Sequence, residues 1–476
     1  MNDIIRKTAR EVVDLLRRGE VSPLELVKTL EEHVTEVDSE VNALPIRFFD
    51  QARTQAEAMM KRHPDPKDRG LLAGLPVAVK DYNDVAGQRT TFGSPIFADT
   101  VADESDAMVR VLEGNGAIAY AKSNVPEFAG GHTYNPLFGP SRNPWNLDRS
   151  VGGSSGGAAA CLASGSAWLA TGNDLGGSLR TPAGFNGIVG VRPTAGRVPR
   201  RTPAVPFDTL WVEGPMARNV ADAALMLDAM IGYDDHDPLT RRERPTSFVA
   251  SLDAYDAPAR VAYSADLGVL PVDQTVRRVT RDSLAHFTAM GAEVVDAEPD
   301  FGDAYEAFQI LRAHLIATMH ASTLERHRDL IKADIVWNIE KGLAQSTADV
   351  QWAERARGAL IHHVMDFFDD HDVLVVPSAP LPPFPVEWPA PQEIDGTELT
   401  TYIDWIAITF CISLTGCPVV ALPSGLDQDG LPIGVQLVGR PGSEARLLSY
   451  AQRFEQGVEI ASRLPVGRRV AAGAVR

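Results

Sequence analysis

Apolar and polar positions follow two different periods along this chain. Residues 4–18 and 24–37 repeat apolar side chains every three or four positions, which predicts two amphipathic helices. Ser22 and Pro23 supply an N-cap and a first-turn proline for the second. The run His63, Pro64, Asp65, Pro66 then interrupts the chain. From Leu75 onward the texture changes to short apolar runs that end in polar or glycine-rich turns, at 75–81, 116–124, 166–174, 187–194, 260–268, 292–299, 372–380 and 417–425. Runs of this kind predict strands buried on both faces. Helical periods separate many of them, notably at 219–231, 272–290 and 444–454. Strands alternating with helices predict an α/β fold around a parallel or mixed sheet. Residues 304–370 read as helix after helix, an insertion expected to lie over the sheet and wall a substrate cavity. The proline-rich 377–391 predicts a rigid loop.

Length and charge narrow the class. The 476 residues allow one large α/β unit, or up to about three domains of about 150 residues each. With 44% hydrophobic and 23% charged residues, the chain has the proportions of a folded globular protein. Its 45 basic against 63 acidic residues give a net charge of −18, which opposes non-specific binding to nucleic acid or to an anionic membrane. A local basic patch at Arg197, Arg200 and Arg201 stays open. Cys161, Cys411 and Cys417 show no C-x-x-C spacing, so buried free thiols are expected in place of a disulfide framework or a structural zinc site. Residues 1–20 mix charges among their apolar positions, unlike a signal peptide, and no stretch reaches the roughly 18 apolar residues of a spanning helix. A cytoplasmic protein is expected.

Three segments carry candidate chemistry. In 151–157, four glycines surround Ser154 and Ser155 just before a small-residue, helix-like stretch at 158–170. Taken alone, this is a turn that brings backbone close to something else, a flexible loop, or an anion-binding helix start. Residues 172–182 place Ser178 on a second glycine turn, just after an apolar strand at 167–171. A serine on a tight turn at a strand end is exposed for attack, with preceding N–H groups free to face an oxyanion. The conventional base is histidine, and of the eleven histidines only His132 lies near these motifs, where a structural role fits it as well. Lys80, ending the apolar strand 75–79, is the other candidate. Burial there lowers its pKa and frees a neutral amine, whereas a lysine snorkelling at a sheet edge stays charged.

Together, LPVAVKD at 75–81, GGSSGG at 152–157 and GNDLGGSLRTPA at 172–183 closely resemble the amidase signature family of serine hydrolases. The likeness continues through 123–127, 143–146, 187–194, 214–218, 416–418 and 430–436. It implies a single amidase signature domain over 1–476, with a central mixed β-sheet covered on both faces by helices. Within it, N-terminal helices at 1–65 pack on the core and the helical insertion at 304–370 shapes the substrate pocket. The resemblance also implies Ser178 as nucleophile, Ser154 as bridging serine held through a cis peptide after Gly153, and Lys80 as base, all three intact. Backbone N–H groups of Leu175, Gly176, Gly177 and Ser178 would face the oxyanion. Asp174 and Arg180 would hold the turn by charge-assisted hydrogen bonds, and Ser155 would be a structural hydrogen-bonding group. No metal or organic cofactor is implied. A small amide is the expected partner, and homodimers are frequent among similar proteins.

Candidate pocket residues are Ala129, Gly130, Gly131 and His132 before the paired serines, and Thr209, Leu210 and Trp211 after the nucleophile. Trp337, Tyr402, Trp405 and Phe410 join them from the insertion and a later helix. Aromatic side chains there suit an apolar acyl group, and core packing accounts for them equally well. The expected reaction is hydrolysis of a small carboxylic amide, a linear aliphatic or aryl amide first, then an anilide, cyclic amide or hydrazide, through an acyl-enzyme. One alternative is the glutaminase-type subunit of a tRNA-dependent amidotransferase, from whose serine-rich pattern residues 127–134 depart. The other is an inactive binding relative, opposed by the intact Lys80, Ser154 and Ser178.

Overall fold

The computed structural model describes residues 3–200, 202, 204–242 and 245–466. Eleven strands build its central sheet: β1 (Ile46–Arg47), β2 (Pro76–Lys80), β3 (Ile118–Ser123), β4 (Leu169–Asp174), β5 (Val189–Arg192), β6 (Val212–Ala217), β7 (Arg260–Tyr263), β8 (Glu293–Asp296), β9 (Val373–Pro377), β10 (Val419–Leu426) and β11 (Pro432–Val438). In space they run β1, β3, β2, β4, β6, β5, β10, β11, β9, β7, β8. β2 is parallel to both β3 and β4, and β7 is parallel to β8 and β9. The remaining neighbours are antiparallel, so the sheet is mixed, and helices cover both its sides. β2 is buried at every position, which is why its sequence shows no alternation.

Local hydrogen bonds decide where elements begin and end. Thr8 and Glu11 form a capping box that starts a helix at Ala9, so the expected helix 4–18 is instead a 3-10 turn, Asp3–Arg6, followed by Ala9–Arg18. Asp222 accepts from the N–H groups of Ala9 and Arg10 at 2.7 and 3.0 Å and fastens that helix to the body. A second box, Ser22 with Glu25, opens the helix Pro23–Val41, which outruns its expected end at 37. The expected helix 272–290 divides into Gln274–Ser283 and Ala285–Ala289. Near the break, the hydroxyls of Thr280 and Ser283 bond back to helix carbonyls. In the stretch 158–170 the helix Gly156–Ala163 ends before Gly165, with φ +82°, and β4 begins at Leu169.

Residues 304–370 form three helices, Ala304–His327, Ala333–Leu343 and Thr347–Asp370. The first shares a hydrophobic cluster with the helix Ala407–Ser413 and with Leu175, which sets it against the turn that follows β4. The three cysteines are buried and unpaired. Arg197 pairs with Glu444 and Arg200 with Asp208, so acidic partners neutralise these two members of the supposed basic patch. Arg201 lies outside the described residues. Among those residues no helix is long and apolar enough to cross a membrane.

Candidate active site

Parallel pairing of β2 with β4, Val77 opposite Leu169 and Ala78 opposite Ala170, brings Lys80 and Asn173 to the same end of the sheet. The Lys80 N–H donates to Thr171 Oγ1 at 2.9 Å, which ties the end of β2 to its neighbour. The Lys80 side chain is fully buried. Its Nζ donates to Ser154 Oγ at 2.8 Å, Ser155 Oγ at 2.7 Å and Asn173 Oδ1 at 2.7 Å. Burial pushes Lys80 down to about 7, against the charges of Glu213 and Asp174 that hold it up.

The paired serines come this close because the residue before them has no side chain. A Cβ on Gly153 would lie 2.4 Å from the Gly131 carbonyl oxygen. The peptide between Gly153 and Ser154 is cis, as the family resemblance implies. Ser155 N–H donates to the Ser178 carbonyl at 3.3 Å, so the two serine turns are in backbone contact. Ser178 itself is half-buried.

Asp174 organises the Ser178 turn. Its carboxylate accepts from the N–H groups of Gly177 and Leu179 at 2.9 and 3.0 Å, from Arg180 Nε and Nη2 at 3.0 and 2.8 Å, and from Arg192 Nη1 at 3.1 Å. Burial pushes this carboxyl up, but Arg180 and Arg192 outweigh it and hold Asp174 well below the usual carboxylate range. Gly177 has φ +134°, and a Cβ there would lie 2.2 Å from Thr409 Oγ1, so the turn accepts only glycine. The Gly177 N–H is already committed to Asp174, which leaves Leu175, Gly176 and Ser178 as candidates.

Phe308 and Phe410 stack at 4.2 Å between ring centroids and back Gly176. Gly131 approaches the ring of Tyr402, which meets Trp337 edge-on and accepts at its hydroxyl from Arg312 Nη2 at 2.6 Å. Gly130 abuts Ile335, and the Ala129 N–H donates to the Tyr82 hydroxyl. The other aromatic candidates are placed elsewhere. Trp405 is buried against Phe185 and Phe384, packing that fills core volume. The His132 ring packs on Tyr134 and Phe384 with Nδ1 3.2 Å from Ser150 Oγ. Burial, aided by the Lys332 charge, pushes this histidine down to about 3. Thr209 and Leu210 line a separate cleft beside Arg357. Trp211 faces a cavity of about 220 Å³ shared with Tyr82, Phe128 and Glu213.

Asn173, Arg192, Phe308 and Thr409 were absent from the candidates. Asn173 stands inside the second glycine motif and Arg192 inside 187–194, so both were within reach of the sequence. Phe308 and Thr409 come from remote segments, Phe308 packing on Gly176 and Thr409 Oγ1 donating to the Gly176 carbonyl at 2.7 Å.

A family model described as Amidase matches residues 25–448. An acylamidase of Rhodococcus erythropolis is 33% identical over 454 residues, covering 94% of each chain. A glutamyl-tRNA(Gln) amidotransferase subunit of Moorella thermoacetica is 33% identical over 488 residues, covering 96% of this chain and 98% of that one. The crystal structure of a bacterial aryl acylamidase of the amidase signature enzymes superposes with a TM-score of 0.90 at 28% identity, over 98% of this chain and 99% of that one. Fold and likeness define an amide-hydrolysing enzyme that acts on carbon–nitrogen bonds. Within that class, the chain belongs to the amidase signature family.

Proposed function

We propose that this enzyme hydrolyses a small carboxylic amide through an acyl-enzyme on Ser178, with Ser154 and Lys80 as its proton relay. The observation that carries this reading is the fully buried Lys80, whose Nζ lies 2.8 Å from Ser154 Oγ and whose burial holds the amine down to about 7. Neutral Lys80 takes the Ser154 hydroxyl proton while Ser154 takes that of Ser178. Ser178 Oγ then attacks the substrate carbonyl, and the oxyanion faces the N–H groups of Leu175, Gly176 and Ser178. One such donor is typically worth about 2.7–4 kcal/mol of transition-state stabilisation. Ser154 passes its proton to the leaving nitrogen and takes one back from Lys80, the amine departs, and water, deprotonated through the restored relay, attacks the acyl-enzyme and frees the acid and Ser178. Ser155 and Asn173 aim Nζ by engaging it alongside Ser154.

Tyr402 and Trp337, edge-on to each other beside Gly131, suit an apolar acyl or aryl group, while the buried stack of Phe308 and Phe410 braces the turn at Gly176. The acylamidase relative and the aryl acylamidase neighbour support simple acyl amides and anilides. The amidotransferase relative supports a second reading, glutamine hydrolysis inside a partner complex. The first is preferred because residues 128–132 offer Phe128, Ala129, two glycines and an inward-packed His132 where the glutaminase pattern is serine-rich. The test is amine release, read by liquid chromatography and mass spectrometry, from a panel of primary amides, anilides, lactams and hydrazides. Release by the wild type but not by Ser178→Ala supports the proposal, and equal release by both overturns it. Release from glutamine alone, and only with partner proteins present, favours the second reading.

A further inference from the structure

Glu213 on β6 stands opposite Asn173 on β4 in the antiparallel ladder. Residues paired in this way project to the same side of a sheet, so Glu213 shares the face on which Asn173 Oδ1 receives Lys80 Nζ. Two polar atoms of this pair are buried without a partner, the amide Nδ2 of Asn173 and the carboxyl Oε2 of Glu213. The other carboxyl oxygen accepts from Trp211 Nε1 at 3.1 Å, which fixes the orientation of the group. Glu213 and Tyr82 also wall the same cavity, and the Tyr82 ring centroid lies 4.8 Å from Lys80 Nζ. A buried carboxyl with a free oxygen thus neighbours the buried amine, and no step of the hydrolysis uses it.

We propose that Glu213 is a positioning residue whose charge, on the same sheet face as the buried amine, is coupled to that of Lys80 and so sets the pH at which Lys80 becomes a base. The pair exists either as ammonium with carboxylate or as free amine with carboxylic acid. Moving the proton from Lys80 to Glu213 leaves the proton count and the net charge of the pair unchanged. The interior disfavours two desolvated charges, so the neutral form, which contains the base, becomes accessible without net proton release to solvent. Burial acts on both members in that direction, lowering Lys80 and raising Glu213 to about 7 each, and each is opposed by the other's charge.

The surrounding charges are few. Asp174, the residue after Asn173 on β4, holds Lys80 up by its charge and is engaged by Arg180 and Arg192. Asp106, just before the helix Ala107–Gly114, raises Glu213, while Arg200 and the Trp211 hydrogen bond lower it. Asp84 lines the shared cavity, as does His320, which burial pushes down to about 4 and keeps neutral. An ionised Glu213 holds Lys80 up, so removing its charge lowers Lys80 further.

This inference rests on Lys80 being the base of the hydrolysis, and its test reads the lysine directly. Full-length protein carrying ¹³C at lysine Cε is titrated by NMR, with the Lys80 signal assigned by its loss in Lys80→Met. Glu213→Gln keeps an acceptor for Trp211 and is expected to move the Lys80 midpoint down by about one pH unit. Glu213→Asp, which keeps the charge, is expected to stay near the wild type. Glu213→Leu provides the same uncharged comparison should Glu213→Gln not fold. The acid limb of kcat/KM moves down with the midpoint while KM holds. An unmoved or raised midpoint in the uncharged variants overturns the coupling. A moved midpoint in a protein that hydrolyses no amide supports the coupling and refutes the hydrolytic reading instead.

Discussion

Replacing Arg180 with methionine tests whether the Asp174 network holds the Ser178 turn. Arg180 is fully buried and makes five hydrogen bonds, two to Asp174 and one each to Thr409 O, Gln436 Oε1 and Ser413 Oγ. Methionine restores part of the volume and none of these bonds. Breaking a buried ion pair by removing one partner costs about 3–5 kcal/mol, because the remaining charge is left uncompensated. Arg192 still reaches Asp174 at 3.1 Å, so the lower end, about 3 kcal/mol, is expected. The assay is urea unfolding at neutral pH followed by tryptophan fluorescence, with kcat/KM measured alongside. Because Asp174 is held below its unfolded value, its stabilisation is present above an unfolded carboxyl pKa of about 4 and is lost as pH falls below it. The penalty of Arg180→Met therefore shrinks in acid. Asp174→Asn strands two buried guanidiniums at a similar cost, and the double variant loses less than the sum of the singles. A loss under about 1 kcal/mol for Arg180→Met, or strict additivity in the double variant, refutes this account of the turn.

Three further outcomes are expected. Lys80→Ala is expected to lower kcat by about 10²–10⁴-fold and to abolish the acid limb expected of the wild type near pH 7, and an unchanged profile would exclude Lys80 as base. His132→Gln leaves that limb in place, since the buried neutral ring is not the group that titrates there. A limb lost with His132 would reverse the assignment. Glu455, whose two carboxyl oxygens accept from the Val220 N–H, is raised to about 8 by burial with Asp222 adding to it. An acid raised in the fold loses stability as pH climbs from its unfolded value of about 4 toward 8, so Glu455→Gln raises Tm at alkaline pH and leaves it nearly unchanged in acid. Differential scanning fluorimetry across that range reads the difference.

What was legible in the sequence was what is local. β2 announces itself because both its faces are buried, and the paired serines because glycines crowd around them within seven residues, 151–157. Element ends were misplaced where a side chain competes with the helix, as Thr8 does at one start and Ser283 at one break. The carboxylate of Asp174 folds back onto the Gly177 N–H, a contact made by the turn and invisible in spacing. Aromatic identity was equally silent. Phe410 and Trp405 are close neighbours in sequence, yet one backs Gly176 while the other packs against Phe185 and Phe384. Phe410 faces the helix Ala304–His327, whose Phe308 stacks on it behind Gly176.

The charge beneath that turn connects the fold to the chemistry. Asp174 is matched by two guanidiniums rather than one, so the buried cluster keeps a net positive charge. A single arginine would have been enough to neutralise the carboxylate. The second, Arg192, also reaches the Asp174 carbonyl and the Leu210 carbonyl, and so fixes the end of β4 where the Leu175 N–H emerges. An uncancelled positive charge held rigidly in a low-dielectric interior favours negative charge nearby, and the turn above it is where the oxyanion would form. On the proposed mechanism, the residues that hold the Ser178 turn in shape also bias its electrostatics toward the transition state, so Arg180→Met is expected to lower kcat as well as stability.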